Sequence, residues 1–294
     1  MPDNDSLHRF LFEHYPIRGH LVHLDAAWLA LLEHREYPAV IRDTLGQATA
    51  ASVLLAATLK FQGHLSLQVQ GNGPMHLLLA QCTSNLGVRA LARYREEVDS
   101  RDLSVLVGEG HVQVTLDNAD DKQRYQGIVP LSGGTLAQSL EGYFQNSEQL
   151  PTRLWLYADE RGASGMLLQR LPTKDDQSSD DVDDAWRRVQ LIADTLKTEE
   201  LRALSDREIL RRLFNEDDVR LFEPAPVFFR CTCSSERVAG MLQSLGREEI
   251  KSILADQGVV EVRCDFCNRA YEYDSVDVGK LFAESVAPGG GALH

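Results

Sequence analysis

The chain has 294 residues, 43% of them hydrophobic and 25% charged, with 44 acidic against 30 basic side chains and a formal net charge of -14. That length suits two units or one large one. The acidic balance argues against a nucleic-acid binder, which must neutralise phosphates, and against docking on anionic lipid, and no stretch approaches the 18 uninterrupted apolar residues of a membrane-spanning helix.

Residues 1–174 read as one mixed core domain. Residues 19–24 have a strand-like pattern with imperfect alternation, and residues 26–36 (AAWLALLEHRE) have helical spacing. Residues 45–60 are rich in Ala and Leu and predict a buried helix. The period then changes. Leu65, Leu67 and Val69 alternate with Ser66, Gln68 and Gln70, the pattern of a half-buried strand, and Gly71-Asn72-Gly73-Pro74 is a turn. Residues 77–79, 88–94, 112–116, 154–157 and 166–168 add further strands. Residues 135–147 predict an amphipathic helix with Leu136, Leu140, Tyr143 and Phe144 on one face, capped by Thr135 at the end of the Ser132-Gly133-Gly134 turn. Strands in runs with few crossover helices predict an α+β fold with a mixed, largely antiparallel sheet.

Residues 175–184 hold six aspartates and little that can enter a core, which predicts a solvated spacer. Helical spacing returns over residues 185–222, with Ser205 and Glu208 placed as a capping box. These helices alternate charge with apolar residues, and the pattern fits either firm packing or a marginal segment that opens. Residues 175–229 are therefore read as an acidic spacer and helical linker, and residues 230–294 as a separate C-terminal domain.

Four of the five cysteines fall in that last domain, as Cys231-Thr232-Cys233 and Cys264-Asp265-Phe266-Cys267, with thirty residues between the pairs. Two close pairs flanking such a spacer are how a chain offers four thiolates to one tetrahedral zinc ion, because each pair is a local chelate and the spacer folds back to join them. Residues 270–273 predict a strand beside the metal. Arg230, Arg263 and Arg269 adjoin the ligands and either moderate their negative charge or are ordinary solvated residues. The start, Met1-Pro2-Asp3-Asn4-Asp5, lacks the basic and apolar regions of a signal peptide, so a cytoplasmic location is expected. In the reducing cytosol, clustered cysteines point to metal or redox chemistry rather than to a standing disulfide framework. The site is then either structural or a switch. Zinc keeps its ligands as thiolates, and a disulfide within each pair would leave the metal without ligands and a small domain without much of its folding free energy.

Other residues carry less. Cys82 stands alone in a strand-like setting, reads as a buried small hydrophobe and is not assigned to the switch. His8, His14, His20, His23 and His34 are scattered, with no spacing that suggests a second metal site. The Ser132-Gly133-Gly134-Thr135 turn lacks the frame of a phosphate loop, there is no G-x-S-x-G elbow, and no catalytic constellation is found.

The residues also carry a resemblance. Phe229-Arg230-Cys231-Thr232-Cys233-Ser234-Ser235-Glu236-Arg237, residues 248–256 (EEIKSILAD) and Val262-Arg263-Cys264-Asp265-Phe266-Cys267 resemble the bacterial redox-regulated heat-shock chaperone family, the 33 kDa chaperonins. So do Thr58-Leu59-Lys60-Phe61, Gln70-Gly71-Asn72-Gly73-Pro74, Gly134-Thr135-Leu136-Ala137, residues 147–153 and residues 165–169. One departure is Asn72, where the family pattern has an aspartate. The resemblance implies a cytoplasmic holdase that uses no ATP and is not an enzyme. It implies one zinc on Cys231, Cys233, Cys264 and Cys267 in the inactive, reduced form. It also implies activation by two disulfides, Cys231–Cys233 and Cys264–Cys267, with zinc loss, unfolding of the C-terminal domain, release of the linker, capture of unfolding client proteins and formation of a homodimer. Two rival readings stand beside it: a thiol–disulfide oxidoreductase using Cys264 and Cys267, and an interaction module in which zinc is purely structural.

Overall fold

The computed structural model describes residues 4–284 except 34, 97–98, 119–123 and 173–178. The first part of the aspartate spacer (175–178), His34 and the C-terminal glycines at 289–291 lie outside the described residues. The chain forms two compact units, Met1–Arg230 and Cys231–His294.

The first unit begins with β1 (Ser6–Phe12), β2 (Ile17–Leu24), α1 (Ala26–Leu32), α2 (Ala39–Thr58), β3 (Gly63–Gly71), β4 (Met75–Thr83) and β5 (Gly87–Tyr94). It continues through α3 (Leu103–Val107), β6 (Gly110–Asn118), β7 (Arg124–Pro130), α4 (Leu136–Tyr143), β8 (Thr152–Ala158) and β9 (Ala163–Arg170). Three helices follow, α5 (Ser179–Ala193), α6 (Thr198–Ala203) and α7 (Asp206–Phe214), and then the short strands β10 (Val219–Leu221), β11 (Ala225–Pro226) and β12 (Phe228–Phe229). One sheet has the order β10-β1-β2-β9-β8, with β11 also on β1; the other has the order β12-β5-β4-β3-β6-β7. The pairing is antiparallel throughout except for β12, which lies parallel to β5. This is the mixed, largely antiparallel α+β architecture that the strand runs predict.

Helix α2 sits in the core between the sheets. It is buried on nearly every side from Val40 to Ala57, as a helix without a polar face must be. Leu45, Leu54 and Leu55 share one apolar cluster with Leu24 and Leu167 of the first sheet and Leu65, Leu67 and Leu78 of the second. Its hydroxyls are satisfied within the helix, Thr49 donating to the Leu45 carbonyl at 2.8 Å and Ser52 to that of Thr49 at 2.7 Å. At Gly46 a side chain would come within 2.5 Å of the Ala158 Cβ, so this glycine sets how near the helix lies to β8. The helix starts six residues before the predicted one. The charged Arg42 and Asp43 hid its first turn, yet they bond each other, and Arg101 reaches Asp43 at 3.0 Å.

The other face of the first sheet is covered as well. Phe10, Phe12, Ile17, Leu21, Met166 and Leu168 of its strands form a second cluster with Trp186 and Val189 of α5, Leu201 of α6, and Ile209, Leu213 and Phe214 of α7. Strands β2 and β9 are therefore buried on both faces, which explains the imperfect alternation of residues 19–24. The helical linker pattern is thus packed, and the aspartate run contributes to it. Asp180 and Asp181 occupy the first turn of α5, where the helix dipole favours acids. Val182 is buried and Asp183 pairs with Arg170, so this half of the run is helix rather than open spacer.

The predicted Ser205–Glu208 capping box opens α7. Beside it lies a polar cluster that sequence spacing did not reveal. The buried Asp206 carboxylate accepts from His8 Nδ1 at 2.6 Å and from His23 Nε2 at 2.7 Å, and the Ser164 hydroxyl lies 3.2 Å from His23 Nδ1. Three strands of the sheet are thereby tied to α7. Thr135 caps α4 in a reciprocal box with Gln138, as expected, although regular helix gives way to a π-helical turn at Phe144–Glu148. At the departure from the family pattern, the Asn72 side-chain oxygen accepts the Glu109 amide at 3.0 Å, a role open to either Asn or Asp.

The second unit contains α8 (Ser235–Leu245), α9 (Arg247–Gln257), β13 (Val260–Arg263), β14 (Ala270–Tyr273) and α10 (Ser275–Glu284). The two strands form an antiparallel hairpin that pairs Val260 with Tyr273 and Arg263 with Ala270. Its core is small: Val238, Leu242, Ile250, Val260, Tyr271, Val278 and Phe282.

Candidate metal centre

The four clustered cysteines come from two loops of the second unit. Cys231 and Cys233 lie in the segment leading into α8. Ser234 caps that helix by accepting the Arg237 amide, and the Arg237 guanidinium turns back to donate to both the carbonyl and the hydroxyl of Thr232 at 2.8 Å. The segment between the first two cysteines is thus held by the helix that follows it. Cys264 and Cys267 lie in the turn of the β13–β14 hairpin. The Cys264 amide donates to the Arg269 carbonyl at 3.0 Å, the Asn268 amide donates to the Cys264 carbonyl at 2.8 Å, and Asn268 takes a left-handed conformation (φ 54°) that closes the turn.

All four sulfurs lie within 4.8 Å of one another. Between the pairs, Cys231 Sγ lies 3.6 Å from Cys264 Sγ and Cys233 Sγ 3.5 Å from Cys267 Sγ. Four sulfurs bound at about 2.3 Å to one tetrahedral zinc stand about 3.8 Å apart, so donor type, number and spacing all fit that ion. The arrangement could hold a metal ion, and among the described residues it is the only such group. The strand expected beside the metal is β14.

The sulfurs are not equivalent. Burial raises the thiol pKa of Cys231 and Cys267. Burial also acts on Cys233, but hydrogen bonds from Tyr271 and from the neighbouring thiols outweigh it and hold that thiol down at about 7. The Tyr271 hydroxyl donates to Cys233 Sγ at 3.0 Å. Nearby arginines are engaged elsewhere: the Arg269 guanidinium lies 5.4 Å over the Tyr271 ring, and Arg263 pairs with Glu261. From outside the cysteines, the Tyr271 hydroxyl donates to Cys233 and the Arg269 backbone amide to Cys267. Neither Tyr271 nor Arg237 was assigned to the site from sequence, because residue spacing reports the ligands and not what donates to them. Cys82 sits in β4, buried in the first unit's core, and burial pushes its thiol up to about 12. No described helix is long and apolar enough to cross a membrane.

Comparison with known proteins agrees with this architecture. The family model described as Hsp33 protein matches residues 5–274. The 33 kDa chaperonin of Methylobacillus flagellatus is 49% identical over 296 residues, covering all of both chains. That of Nitrosococcus oceani is 50% identical over 286 residues, covering 97% of each. The crystal structure of the 33 kDa chaperonin from Thermotoga maritima superimposes with a TM-score of 0.83 over 97% of this chain and 100% of its own, at 22% identity, and so shares the fold. On these matches the chain belongs to the Hsp33 family of 33 kDa chaperonins.

Proposed function

We propose that this protein is an ATP-independent holdase of the cytoplasm, inactive while its cysteines are reduced and hold zinc, and activated by their oxidation. The observation that carries this reading is the meeting of four thiols within 4.8 Å in a unit with only a small apolar core. Cys231, Cys233, Cys264 and Cys267 are assigned as the ligands of one zinc ion, which when bound keeps them as thiolates and ties the two loops together. Three functional parts follow: residues 1–174 as core, 175–229 as spacer and helical linker, and 230–294 as the sensor.

Peroxide suffices as the oxidant. Each pair of thiolates gives up two electrons and forms one S–S bond, while one hydrogen peroxide takes two electrons and two protons and leaves as two waters. Two such steps convert the four ligands into Cys231–Cys233 and Cys264–Cys267, the pairing the family resemblance implies. Disulfide sulfurs no longer ligate as thiolates, so the two loops lose their tie. The unit then opens, the linker helices lose their docking, and the apolar surfaces exposed capture unfolding clients and support a homodimer. This mechanism needs no catalytic residue. The hairpin setting of Cys264 and Cys267 differs from the βαβ setting of a C-x-x-C redox motif, and each thiol lies against one of the other cysteine pair, so an oxidoreductase reading has no support.

The test is light scattering from a heat-unfolding client in the presence of this protein, either reduced and zinc-loaded or pre-oxidised with peroxide at elevated temperature. Suppression of aggregation by the oxidised form alone is expected. Equal scattering with both forms would sink the switch and leave a structural zinc module.

A further inference from the structure

The first unit has a second chemically distinctive place, on the face of its first sheet that α2 covers. Helix α2 ends at Thr58, and past that end the sheet face is left open as a cleft of about 660 Å³. The register of β1 on β2 sets Arg9 opposite His20 and Leu11 opposite Arg18. All four line the cleft, with Phe222 and Ala57 adding to its apolar walls. A neighbouring cleft of about 590 Å³ shares Arg9, Ala57 and Ala225 and adds Lys60.

The polar groups here lack the partners that buried polar groups normally have. The Arg18 guanidinium is half-buried and bonds only neutral oxygens, Gln169 Oε1 at 2.6 and 3.0 Å and the Thr58 carbonyl at 3.2 Å. Burial and the nearby Arg9 both disfavour its charge. His20 is 3% exposed, and its Nδ1 has no hydrogen-bond partner among the described residues. Burial, then Arg18, then Arg9 lower the His20 pKa to about 3, so the ring is neutral and offers an N–H donor. Glu223 is the one carboxylate among the lining residues. In a chain of net charge -14, the half-buried Arg18 charge bonded only to neutral oxygens, a second guanidinium at Arg9 and an unmet donor on His20 together make this sheet face complementary to an anion.

We propose that this cleft binds a small monocarboxylate with an apolar body, its carboxylate bridging Arg9, Arg18 and His20 and its body lying along Leu11 and Phe222. Clefts of this size suit small ligands, and a guanidinium fork matches the geometry of a carboxylate. The proposal does not rest on the cysteine switch: every residue involved lies in the first unit.

The test is calorimetric titration of the reduced, full-length protein with octanoate, alongside 1-octanol and acetate, and with the His20 ring signals followed by NMR. Saturable octanoate binding that shifts the His20 ring, with octanol and acetate at least tenfold weaker, is the expected result. Arg9→Gln alters an exposed side chain and should weaken octanoate about tenfold, the scale of one charge-assisted hydrogen bond. His20→Gln is the second variant, read only if its circular dichroism matches the parent. Octanol binding as tightly as octanoate, an Arg9→Gln variant with unchanged affinity, or no saturation would each overturn the proposal.

Discussion

The two units are built on different balances of forces. In the first, a 20-residue helix is enclosed by two sheets, and Trp28, Ile41, Leu45 and Leu54 have no exposure at all. In the second, seven buried side chains serve two four-residue strands and three helices. The fraction of surface buried on folding falls with chain length, and domains this small generally need a disulfide, a metal or a partner. The first unit can rest on apolar burial. The second has its cysteines where a metal would supply the difference, and Cys233 and Cys264 pack against its core. A reagent that attacks sulfur should therefore unfold the second unit and leave the α2 core of the first intact.

Metal removal is the largest test of that contrast. Zinc-coupled folding is worth about 10–16 kcal/mol in small zinc domains, far more than seven buried side chains can replace. A strong chelator, or Cys264→Ser, should abolish amide-exchange protection across residues 235–284 while the strands around α2 keep theirs. Retention of protection in the hairpin after full metal loss would show that its apolar core suffices, and the contrast would fail.

How much of this could be read from sequence differs between the units in the same way. The four sulfurs were legible because thiolate chelates depend on local spacing, and the structure brings together those four and no other described group. Helix α2 and the strand runs were legible from their periods, and the caps at Thr135 and Ser205 from their residue types. Strand β1 was missed because its partners, β2, β10 and β11, come from distant parts of the chain. The second layer over the first sheet was left open, since an amphipathic helix pattern states that one face is apolar and not what covers it. Asp206, His8 and His23 looked unrelated because 198 and 183 positions separate the aspartate from its two partners. The whole aspartate run was read as spacer, although residues 179–184 start a helix, whose N-terminus favours acids.

The Asp206 cluster gives the next test, because it is where polar chemistry rather than apolar area fastens part of the first unit. Asp206→Asn keeps the shape but removes a buried charge that two imidazoles bond, at an expected cost of about 3 kcal/mol. The loss should concentrate in α5 to α7, read as faster amide exchange and proteolysis over residues 179–214 with the α2 core unchanged. Burial acts to raise the Asp206 pKa, and the hydrogen bonds from His23 and His8 outweigh it, leaving the carboxyl below its ordinary value. Its contribution is therefore complete above about pH 4, the ordinary aspartate value, and is lost as the pH falls through the lower folded value. An Asp206→Asn variant that loosens the whole unit evenly would show that these helices are part of one cooperative core and no separable layer.

The smallest effect tests whether core and site are one structure in the second unit. Tyr271 is buried in its cluster and also donates to Cys233 Sγ at 3.0 Å, whereas the first unit's Cys82 donates only to the Thr83 carbonyl, at 3.5 Å. Tyr271→Phe keeps the ring and removes the donor, a change of about 1 kcal/mol. Because that donor draws on the charge of the Cys233 sulfur, its loss should leave the sulfur more nucleophilic and speed alkylation of Cys233 in the folded, zinc-loaded protein. Cys82 should resist alkylation throughout, since burial pushes its thiol up to about 12. An unchanged rate of Cys233 alkylation would mean that the other ligands of the site alone set its reactivity. The aromatic core of the second unit would then support the site by shape and not by chemistry.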